Sequence, residues 1–538
     1  MNARFSDLLC QTANKAPLRG RMENDMKKPN ILFILSDQHN ARMSGAYGDT
    51  YAKTPALNSL ARDGITFDRA YTVSPICSPS RMSIYTGKRP SEHGLYGNVN
   101  WVIDYDCPEF LPRLLRENGY ETSLIGRSHM VRALDQESFD YVSYMDFGDC
   151  DRYDISDNQW LKSLIDNGVA DAFDLSIPDS LAPNGSFISQ MPLEFCEESW
   201  MADTADKYLR TRDKSKPFYM HVAYDRPHDP ISPVENFANM FDPAEVPLPK
   251  NWMDTYDGKP EHLREIRYSP EGYPYTPRDE AHAREMLARQ YALVAQLDYS
   301  IDRIIRSLKE SGELENTVII YTSDHGEFAG EHGMFFKNAG INDCVHRVPL
   351  IIRYPDGDGA GSRCDEIVES IDLYARILSC AGSAHPDERL LDLSAVATGN
   401  AAGRDYAICD MNDYASITTK THRLVYYWTH KDGELYDLST DPGELVNLWD
   451  VESHVCLRDD LLDIMIREIR EDQRVITTFP DRPEDDRVKN WYKQDSPIYA
   501  LWYHGIRYSQ LKPYMVAFDG GYRLTADAAE IAANLGKY

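Results

Sequence analysis

Short apolar runs alternate with amphipathic segments along the first two thirds of the chain. Residues 30–36, NILFILS, have the length of a buried strand and run into the polar residues DQHN. In the segment TPALNSLARDG that follows later, Thr54 is placed to cap a helix, Pro55 suits its first turn and Gly64 suits its end. The pattern predicts a buried strand followed by a helix.

The same alternation recurs farther along the chain. PEFLPRLLRENGYETSLIG predicts a helix that ends at Gly119 and then a strand, and residues 291–312 predict a long helix. KPFYMHVAY, NTVIIYTSDHGE and RVPLIIRYP predict further strands. Repeated helix and strand units predict an α/β fold with a large, mostly parallel sheet flanked by helices. In such sheets the chemistry gathers beyond the carboxyl ends of the strands.

Departures from this alternation divide the chain into regions. We expect a flexible leader at residues 1–27, a catalytic α/β domain at 28–385, a smaller C-terminal α+β domain at 386–485 and an aromatic-rich tail at 486–538. The smaller domain carries short strand-like pieces, such as YASITTKTHRLVYYW, which predict an antiparallel sheet. Residues 149–192 are polar, lack a clean period and predict an insertion over one sheet edge. We interpret the tail first as a contact in a homo-oligomer and second as part of a substrate pocket.

Composition and charge narrow the class of protein. The chain has 538 residues, with 57 basic and 86 acidic side chains and a net charge of −29, which disfavours nucleic acid as a partner. No apolar run is long enough to predict a membrane span. The ten cysteines are scattered without short C-x-x-C pairs, and the N-terminus lacks the apolar run of a signal peptide. We therefore expect a cytoplasmic protein with reduced thiols.

Two predicted strands deliver acidic residues to the same edge of the sheet. Asp37 follows ILFILS, and Asp324, with His325 beside it, follows VIIYTS. Carboxylates grouped at one sheet edge repel each other unless a cation lies between them, so a divalent metal ion is the simplest explanation. Either aspartate taken alone is more simply a helix cap or a loop residue, and it is the pair that points to a metal.

The segment SPICSPSRMSIYTG places a cysteine, a proline and an arginine in a tight turn ahead of an apolar helical run. A lone cysteine is usually packing material. Here Cys77, Pro79 and Arg81, with Thr86-Gly87 after them, match the signature C-x-P-S-R followed by T-G. The segment resembles that of the type I sulfatases of the alkaline phosphatase superfamily. In that family the cysteine is converted to formylglycine (3-oxoalanine) by a separate maturation enzyme.

Other segments extend the resemblance over roughly residues 28–449. KPNILFILSDQ resembles the family's first strand and metal loop, and TSDHGEFAGEHGMFFK resembles its second metal loop and the following lysine. GRSH and RPHDP resemble two histidine-bearing segments, and ELYDLSTDPGELVNL resembles the close of the family's small domain. The leader and the aromatic tail lie outside the resemblance, which implies an alkaline-phosphatase-like fold.

The resemblance implies one divalent metal ion in the site. The ligands carried over are Asp37, the modified Cys77, Asp324 and His325, with Gln38 beside or on the metal. Many relatives have Asp where Gln38 stands and Asn where His325 stands, and the D-Q and D-H forms resemble choline sulfatases and phosphonate monoester hydrolases. We expect Ca²⁺ at this oxygen-dominated site, with Mn²⁺ as the alternative because an imidazole is among the ligands.

The family chemistry explains why these residue types are needed. A hydrated aldehyde at position 77 carries two hydroxyl groups; one, deprotonated with help from the metal and Arg81, attacks sulfur, and the other then expels sulfate. The resemblance makes His129 the base of that second step. His228 and Lys337 match the family's leaving-group side, where a cation or acid meets the negative charge on the departing oxygen.

The resemblance also implies side chains that bind the substrate. Arg127 stands where most relatives have lysine; it keeps the charge but is not readily deprotonated, so we assign it to sulfate binding. Asn98 matches an asparagine near the sulfate in choline sulfatases. His228 and Lys337 are expected to contact the substrate as well. For either His129 or His228 taken alone a structural histidine is the better interpretation, and the motif context favours function.

Three hypotheses stay open from the sequence. The first is a formylglycine-dependent sulfatase that hydrolyses a small-molecule O-sulfate monoester to an alcohol and inorganic sulfate. The second is a phosphonate monoester or phosphodiester hydrolase with the same apparatus, motivated by Gln38 and His325. The third is a non-catalytic binding protein that kept the fold. Choline, a sugar, a steroid and an aryl alcohol are all open as the alcohol half of the substrate.

Overall fold

The structure, a computed structural model, describes residues 28–98, 107–130, 132–145, 157–171, 186–268, 276–337, 340, 342–383, 385, 387–411, 413–469, 510, 512–518, 521–524 and 534. Its strands are β1 Asn30–Asp37, β2 Ile65–Tyr71, β3 Glu121–Gly126, β4 Tyr141–Tyr144, β5 Phe218–Pro227, β6 Thr317–Ser323, β7 Leu350–Arg353, β8 Ser362–Glu369, β9 Tyr406–Asp410, β10 Tyr414–Thr419, β11 His422–Tyr427, β12 Asp432–Asp437, β13 Met515–Phe518 and β14 Gly521–Leu524. Its helices are α1 Pro55–Asp63, α2 Cys77–Thr86, α3 Pro90–His93, α4 Leu111–Glu117, α5 Arg132–Ser138, α6 Gln159–Asp166, α7 Glu197–Thr211, α8 Glu235–Ala238, α9 Glu261–Tyr268, α10 Glu280–Glu310, α11 Asp343–His346, α12 Asp372–Cys380, α13 Leu393–Ala397 and α14 Val455–Ile469.

The central sheet has eight strands in the order β4-β3-β5-β1-β6-β7-β2-β8. Five of its seven pairings are parallel, and the two exceptions are those of β7 with β6 and with β2. β1, β5 and β6 are buried along their whole length, as expected for strands covered on both faces. The predicted α/β fold with a mostly parallel sheet is confirmed.

β7 runs against its neighbours because no long helix returns the chain after β6. Between β6 and β7 the described residues form irregular loops, a single 3₁₀ turn and the short helix α11. The chain therefore enters β7 from the sheet edge at which β6 ended, and it has to run in the opposite direction. The loop between the two strands stays above the carboxyl edge of the sheet, and it carries Asp324, His325 and Lys337.

The helix α1 is capped by a different side chain from the one predicted. Thr54 occupies the N-cap position, but its hydroxyl accepts a hydrogen bond from Gly45 N at 2.9 Å. Asp298 of α10 caps the helix instead, accepting from Ala56 N at 2.9 Å and from Leu57 N at 2.8 Å. A local sequence motif does not reveal this cap, because Asp298 lies 242 positions from Ala56 in the chain.

Gly64 follows α1, as predicted, but for a different reason. Its φ of −143° is extended backbone. A Cβ at this position would lie 2.5 Å from the carbonyl oxygen of Ile352 in β7, so the close approach of that strand requires glycine. At the end of α4, by contrast, Gly119 has the predicted left-handed conformation, with a φ of 84°.

A separate four-stranded antiparallel sheet, in the order β12-β11-β10-β9, forms the smaller C-terminal domain, as predicted. The helix α14 packs on it through an apolar face. Arg423 of β11 is completely buried and pairs with Asp343 Oδ1 at 2.8 Å and with Glu444 Oε1 at 2.7 Å. Because Asp343 belongs to the segment between β6 and β7, this ion pair ties the small sheet to the loop above the carboxyl edge.

The insertion and the tail are described only in part, and the leader at residues 1–27 lies outside the described residues. Within the predicted insertion, α6 buries Trp160, Leu161 and Leu164. The sequence did not indicate this helix, because three apolar residues are too few to stand out in a long polar interval. The described part of the tail forms the hairpin of β13 and β14, and Leu524 is buried in an apolar cluster with residues of α10. The domain boundaries and both interpretations of the tail stay predictions.

The long helix predicted at residues 291–312 is confirmed within α10, which spans 31 residues. Its N-cap is Asp279, whose side chain accepts from His282 N. α10 is amphipathic, with a buried face that includes Leu293, Leu297 and Ile301 and charged residues elsewhere. None of the helices in the described ranges has the length and apolar character needed to cross a membrane.

We predict that Asp298→Ala destabilises the fold by about 1–3 kcal/mol, because two buried amide groups lose their acceptor. Asp298→Asn should cost less, since its carboxamide oxygen can still accept one of the two hydrogen bonds. Urea denaturation measures the free energy of unfolding. Asp302→Ala, which removes a half-exposed acid one turn farther along α10, is the control and should change it by less than about 0.5 kcal/mol. Equal losses at the two positions would contradict the capping role.

Candidate active site

The carboxyl edge of the sheet brings together the two aspartates predicted from the sequence. Asp37 is the last residue of β1, and Asp324 directly follows β6. β1 and β6 are neighbouring parallel strands, with Ser36 opposite Ser323. Both carboxylates therefore leave the sheet at the same point, and both side chains are completely buried.

Cys77 lies above this edge as the first residue of α2. Its Sγ is 3.5 Å from Asp37 Oδ1 and 3.4 Å from His325 Nε2. One donor atom from each of Asp37, Cys77, Asp324 and His325 lies within 4.8 Å of the others, an arrangement that could hold a metal ion. The fold thus brings together four of the five predicted metal ligands.

The fifth predicted ligand, Gln38, has one end of its carboxamide engaged by protein. Its Nε2 donates to Glu327 Oε2 at 2.6 Å. Its Oε1 is buried and has no hydrogen-bond partner among the described residues. A buried amide oxygen without a donor fits a neighbouring cation, so the side chains present suit a metal ion. The backbone of Gln38 is held as well, because its N–H donates to Asp324 Oδ1 at 3.1 Å.

Arg81 pairs with both aspartates from the side of α2. Its Nη2 donates to Asp37 Oδ2 at 2.9 Å, and its Nε donates to Asp324 Oδ2 at 2.8 Å. Its Nη1 donates to the carbonyl oxygen of Arg127 at 2.5 Å. Arg81 lies four residues after Cys77, so the two side chains share one face of the helix. All three guanidinium nitrogens bond protein atoms, which places Arg81 behind the aspartates.

Arg127 and His129, in the loop after β3, form one hydrogen-bonded unit. Arg127 Nη2 donates to His129 Nε2 at 3.1 Å, so this imidazole nitrogen acts as the acceptor. Arg127 Nη1 donates to Asp225 Oδ1 at the carboxyl end of β5. A hydrogen bond with His129 contributes to lowering the pKa of the Cys77 thiol. The unit therefore reaches the predicted nucleophile.

His228 and Lys337 also contact Cys77. Lys337 Nζ donates to Cys77 Sγ at 3.1 Å, and a hydrogen bond with His228 helps to lower the pKa of the thiol. His228 Nδ1 lies 3.1 Å from Asp229 Oδ1. Burial lowers the pKa of His228, but the charge of Asp229 and the contact with Cys77 outweigh burial and raise the pKa to about 9. His228 is therefore an imidazolium at neutral pH.

Asn98 lies beside Cys77 at the start of α2. Its Oδ1 accepts from Ser78 N at 3.0 Å, which occupies one of the free amides of the first helical turn. Its Nδ2 lies 3.6 Å from Cys77 Sγ. The structure thus brings every side chain predicted for catalysis and substrate binding to one place around the cysteine, with Arg127 joined to it through His129.

Burial and crowded charge shift the pKa values of the acidic groups in opposite directions. Burial raises the pKa of Asp37 to about 7, and the charges of Asp324 and Cys77 add to the rise. Burial also acts on Asp324, but His325 and Arg81 outweigh it and the pKa falls below its usual value. For the Cys77 thiol, burial is outweighed by Lys337 and His325, and the pKa falls well below that of an ordinary cysteine. The surroundings of position 77 stabilise negative charge.

Three carboxylates that support the site were not among the predicted residues. Asp225 pairs with Arg127, Asp229 faces His228, and Glu327 accepts from Gln38 Nε2. Asp225 lies at the carboxyl end of β5. The rule that predicted Asp37 and Asp324, that acidic residues at the carboxyl ends of strands gather at one sheet edge, could therefore have identified it too. Asp229 lies inside the quoted segment RPHDP, and its partner is the neighbouring residue His228. Glu327 lies inside TSDHGEFAGEHGMFFK, and its partner Gln38 directly follows β1. No spacing rule reveals either contact.

Two family models and several known proteins match this chain. The Sulfatase family model matches residues 29–383, and the model for N-sulphoglucosamine sulphohydrolase, C-terminal, matches residues 330–471. The chain is 27% identical over 515 residues to the N-acetylglucosamine-6-O-sulfatase of Bacteroides thetaiotaomicron, covering 82% of this chain and 86% of that protein. It is 27% identical over 475 residues to the arylsulfatase of Clostridium perfringens, covering 82% of this chain and 94% of that protein.

The fold also has solved counterparts. The crystal structure of the phosphonate monoester hydrolase of Agrobacterium radiobacter aligns with a TM-score of 0.70, at 23% identity, over 83% of this chain and 96% of that chain. At this identity the likeness shows the fold alone, which is alkaline-phosphatase-like. Because the Sulfatase model covers well over half of the residues, the chain belongs to the sulfatase family of sulfuric ester hydrolases.

Proposed function

We propose that the protein hydrolyses an organic O-sulfate monoester to an alcohol and inorganic sulfate, using formylglycine at position 77 and one divalent metal ion. One observation carries this proposal. Cys77 Sγ lies within 3.6 Å of atoms of Asp37, His325, Asn98 and Lys337. Predicted metal ligands, a cation and an amide donor thus surround the atom at which the family builds its nucleophile.

The metal would be held by Asp37, Cys77, Asp324 and His325, with the carboxamide oxygen of Gln38 as a further oxygen donor. Carboxylate and amide oxygens dominate this set and favour Ca²⁺. The imidazole of His325 keeps Mn²⁺ as the alternative. We propose Ca²⁺ as the resident ion.

The modified cysteine and the metal would supply chemistry that unmodified side chains lack. A hydrated aldehyde offers one hydroxyl as nucleophile and a second from which sulfate can be released, and a bound cation stabilises the negative charge that develops. Cys77 is completely buried in the folded chain. We therefore propose that the maturation enzyme oxidises it before this part of the chain has folded.

His228 and Lys337 are proposed to act on the alcohol side of the sulfur. The charge of the Cys77 thiolate raises the pKa of the Lys337 ammonium group against the effect of burial, and those of Asp37, Asp324 and Asp229, which conversion of Cys77 leaves in place, act in the same direction. Lys337 can therefore neutralise negative charge on the ester throughout the reaction. His228, an imidazolium at neutral pH, can donate a proton to the departing oxygen.

His129, Arg127 and Asn98 are proposed to act on the sulfate side. Asn98 Nδ2 faces position 77 and is placed to donate to a sulfuryl oxygen. Arg127 adds positive charge and holds His129 through Nε2. In the release step we propose that His129 Nε2, the unprotonated nitrogen that accepts from Arg127 in the structure, gives up that hydrogen bond and takes the proton of the second hydroxyl at position 77.

A phosphonate monoester or phosphodiester hydrolase is the second candidate function. It is favoured by Gln38 and His325, which depart from the pattern of many sulfatases, and by the likeness of fold to a phosphonate monoester hydrolase. Both candidate reactions use an attack on a tetrahedral centre that carries a single negative charge, so the same apparatus suits either one.

The modification is tested by the mass of the tryptic peptide that contains Cys77 and by turnover of 4-nitrophenyl sulfate. In protein made together with a maturation enzyme, we expect the mass loss that accompanies conversion of CH₂–SH to an aldehyde. Cys77→Ala should lower kcat/KM by at least about 10³-fold, because the nucleophile is removed. Cys380→Ala, which removes a cysteine remote from the site, should leave turnover unchanged. Full activity with an intact thiol at position 77 would refute the mechanism.

Metal binding is tested by titration calorimetry on chelator-treated protein. Ca²⁺ should bind at one site and more tightly than Mn²⁺. Asp324→Asn should weaken binding by at least about 100-fold, since even the loss of groups that only orient ligands costs 10- to 100-fold in comparable sites. The control Asp302→Asn removes a half-exposed acid of α10. An equal affinity for Ca²⁺ in both variants would place the metal elsewhere.

Substrate preference separates the two candidate functions. We expect kcat/KM for 4-nitrophenyl sulfate to exceed that for 4-nitrophenyl phenylphosphonate by at least about tenfold, as differential binding of the two transition states allows. The two substrates share one leaving group, so its chemistry cancels in the ratio. A clear preference for the phosphonate would make the second candidate the function of this chain.

A further inference from the structure

The cations around Cys77 differ in how far their charge is already neutralised by protein. Outside the five predicted metal ligands, three positively charged side chains in the described residues are joined to the cysteine by direct contact or through His129: Arg127, His228 and Lys337. Arg127 pairs with Asp225, and His228 lies beside Asp229. The carboxylate nearest to Lys337 Nζ in the described residues is Asp37, at 4.0 Å, which is itself a predicted metal ligand.

The pair of Arg127 with Asp225 is the most enclosed of these. The side chains are 10% and 9% exposed, and Arg127 Nη1 donates directly to Asp225 Oδ1. His228 and Asp229 are each 22% exposed. Charges that are buried together are little screened by solvent or salt. The carboxylate of Asp225 therefore offsets part of the positive charge that Arg127 would otherwise present to a bound anion.

The charges of Arg127, His228 and Arg226 all act on Asp225 and hold its pKa below the usual value against the effect of burial, and the hydrogen bond is made by Arg127. Arg226, the next residue in β5, directs its guanidinium to Glu197 at 3.2 Å and to Glu198 at 3.7 Å. These two acids are the first two residues of α7. Among the described arginines of this network, Arg127 is the one in direct contact with Asp225.

We infer that Asp225 is a specificity-determining residue that restricts the site to esters with a single negative charge. This role presupposes the proposed function and refines it. A sulfate monoester and a phosphonate monoester each carry one negative charge at the reacting group, whereas a phosphate monoester carries nearly two above its second pKa of about 6. With Arg127 paired to Asp225, the second charge of a phosphate monoester gains less attraction from Arg127 and lies near a buried carboxylate.

Asp225 has a second effect that the test has to separate from the first. By binding Nη1 it also fixes Arg127 in the position from which Nη2 donates to His129. Loss of this positioning lowers turnover of every substrate alike, because His129 is displaced. Loss of the negative charge instead changes the ratio between singly and doubly charged substrates. The ratio is therefore the readout that a purely structural role does not move.

The experiment compares 4-nitrophenyl sulfate, 4-nitrophenyl phenylphosphonate and 4-nitrophenyl phosphate at about pH 8, where the phosphate is a dianion. Asp225→Asn should raise kcat/KM for the phosphate relative to either monoanion by about tenfold, mainly through KM, as expected for removing one buried charge near the anion. Asp225→Glu, which restores the carboxylate, should return the ratio toward that of the unaltered protein. Glu197→Gln removes a buried acid of the same network that pairs with Arg226, and it should leave the ratio unchanged.

Dissociation constants give the ratio between the doubly charged and the singly charged ester without any turnover. In a Cys77→Ala background, the dissociation constants of the aryl sulfate and the aryl phosphate are measured with and without Asp225→Asn. An unchanged ratio in both measurements, or an equal shift in Glu197→Gln, would overturn the role of Asp225. Failure of the proposed function gives a different result, because the unaltered protein would then prefer the phosphonate to the sulfate. In that case the comparison of either monoanion with the phosphate would still decide the role of Asp225.

Discussion

Repulsion between the buried carboxylates of Asp37 and Asp324 is the constraint around which the site is arranged. Adjacent parallel strands end side by side, so the two acids cannot avoid each other once β1 and β6 pair. Like charges a few ångströms apart in a water-poor interior cost several kcal/mol. Arg81 offsets this cost by donating to one oxygen of each carboxylate. The remaining oxygens face Cys77 and His325, where a divalent cation would complete the neutralisation.

The same contact fixes the position of the nucleophile. Arg81 reaches both aspartates only if α2 lies over the ends of β1 and β6, and Cys77 stands one helical turn earlier on the same face. The distance from Cys77 to the metal edge is therefore set by the arginine fork and by the helix. The loop after β6 is held in turn by Asp343, which pairs with Arg423 of the small sheet. The C-terminal domain thus supports a site to which it gives no predicted catalytic residue.

The parts of the molecule that follow local rules could be predicted from the sequence, and the parts that depend on distant partners could not. Buried strands and the acidic residues at their ends can be recognised in short stretches of sequence. The α/β sheet and the positions of Asp37 and Asp324 at its carboxyl edge could therefore be predicted. The cap of α1 by Asp298, the anchoring of Arg127 by Asp225 and the antiparallel direction of β7 each depend on where another segment comes to lie. The roles of Gln38 and Glu327 are of this kind as well, because only the fold shows how each end of the carboxamide is used.

The hydrogen bond between Arg127 and Asp225 gives a physical reason for an arginine at the first position and an aspartate at the second. A lysine at position 127 would carry an ammonium group, a single point of charge that cannot offer two separate fixed edges. The planar guanidinium donates through Nη1 to Asp225 and through Nη2 to His129 at the same time. An unpaired arginine here would leave a strongly positive pocket beside the nucleophile; paired with Asp225, it keeps its geometry while its charge is partly offset. The positive charge that position 127 presents to the site therefore depends on the carboxylate at the end of β5.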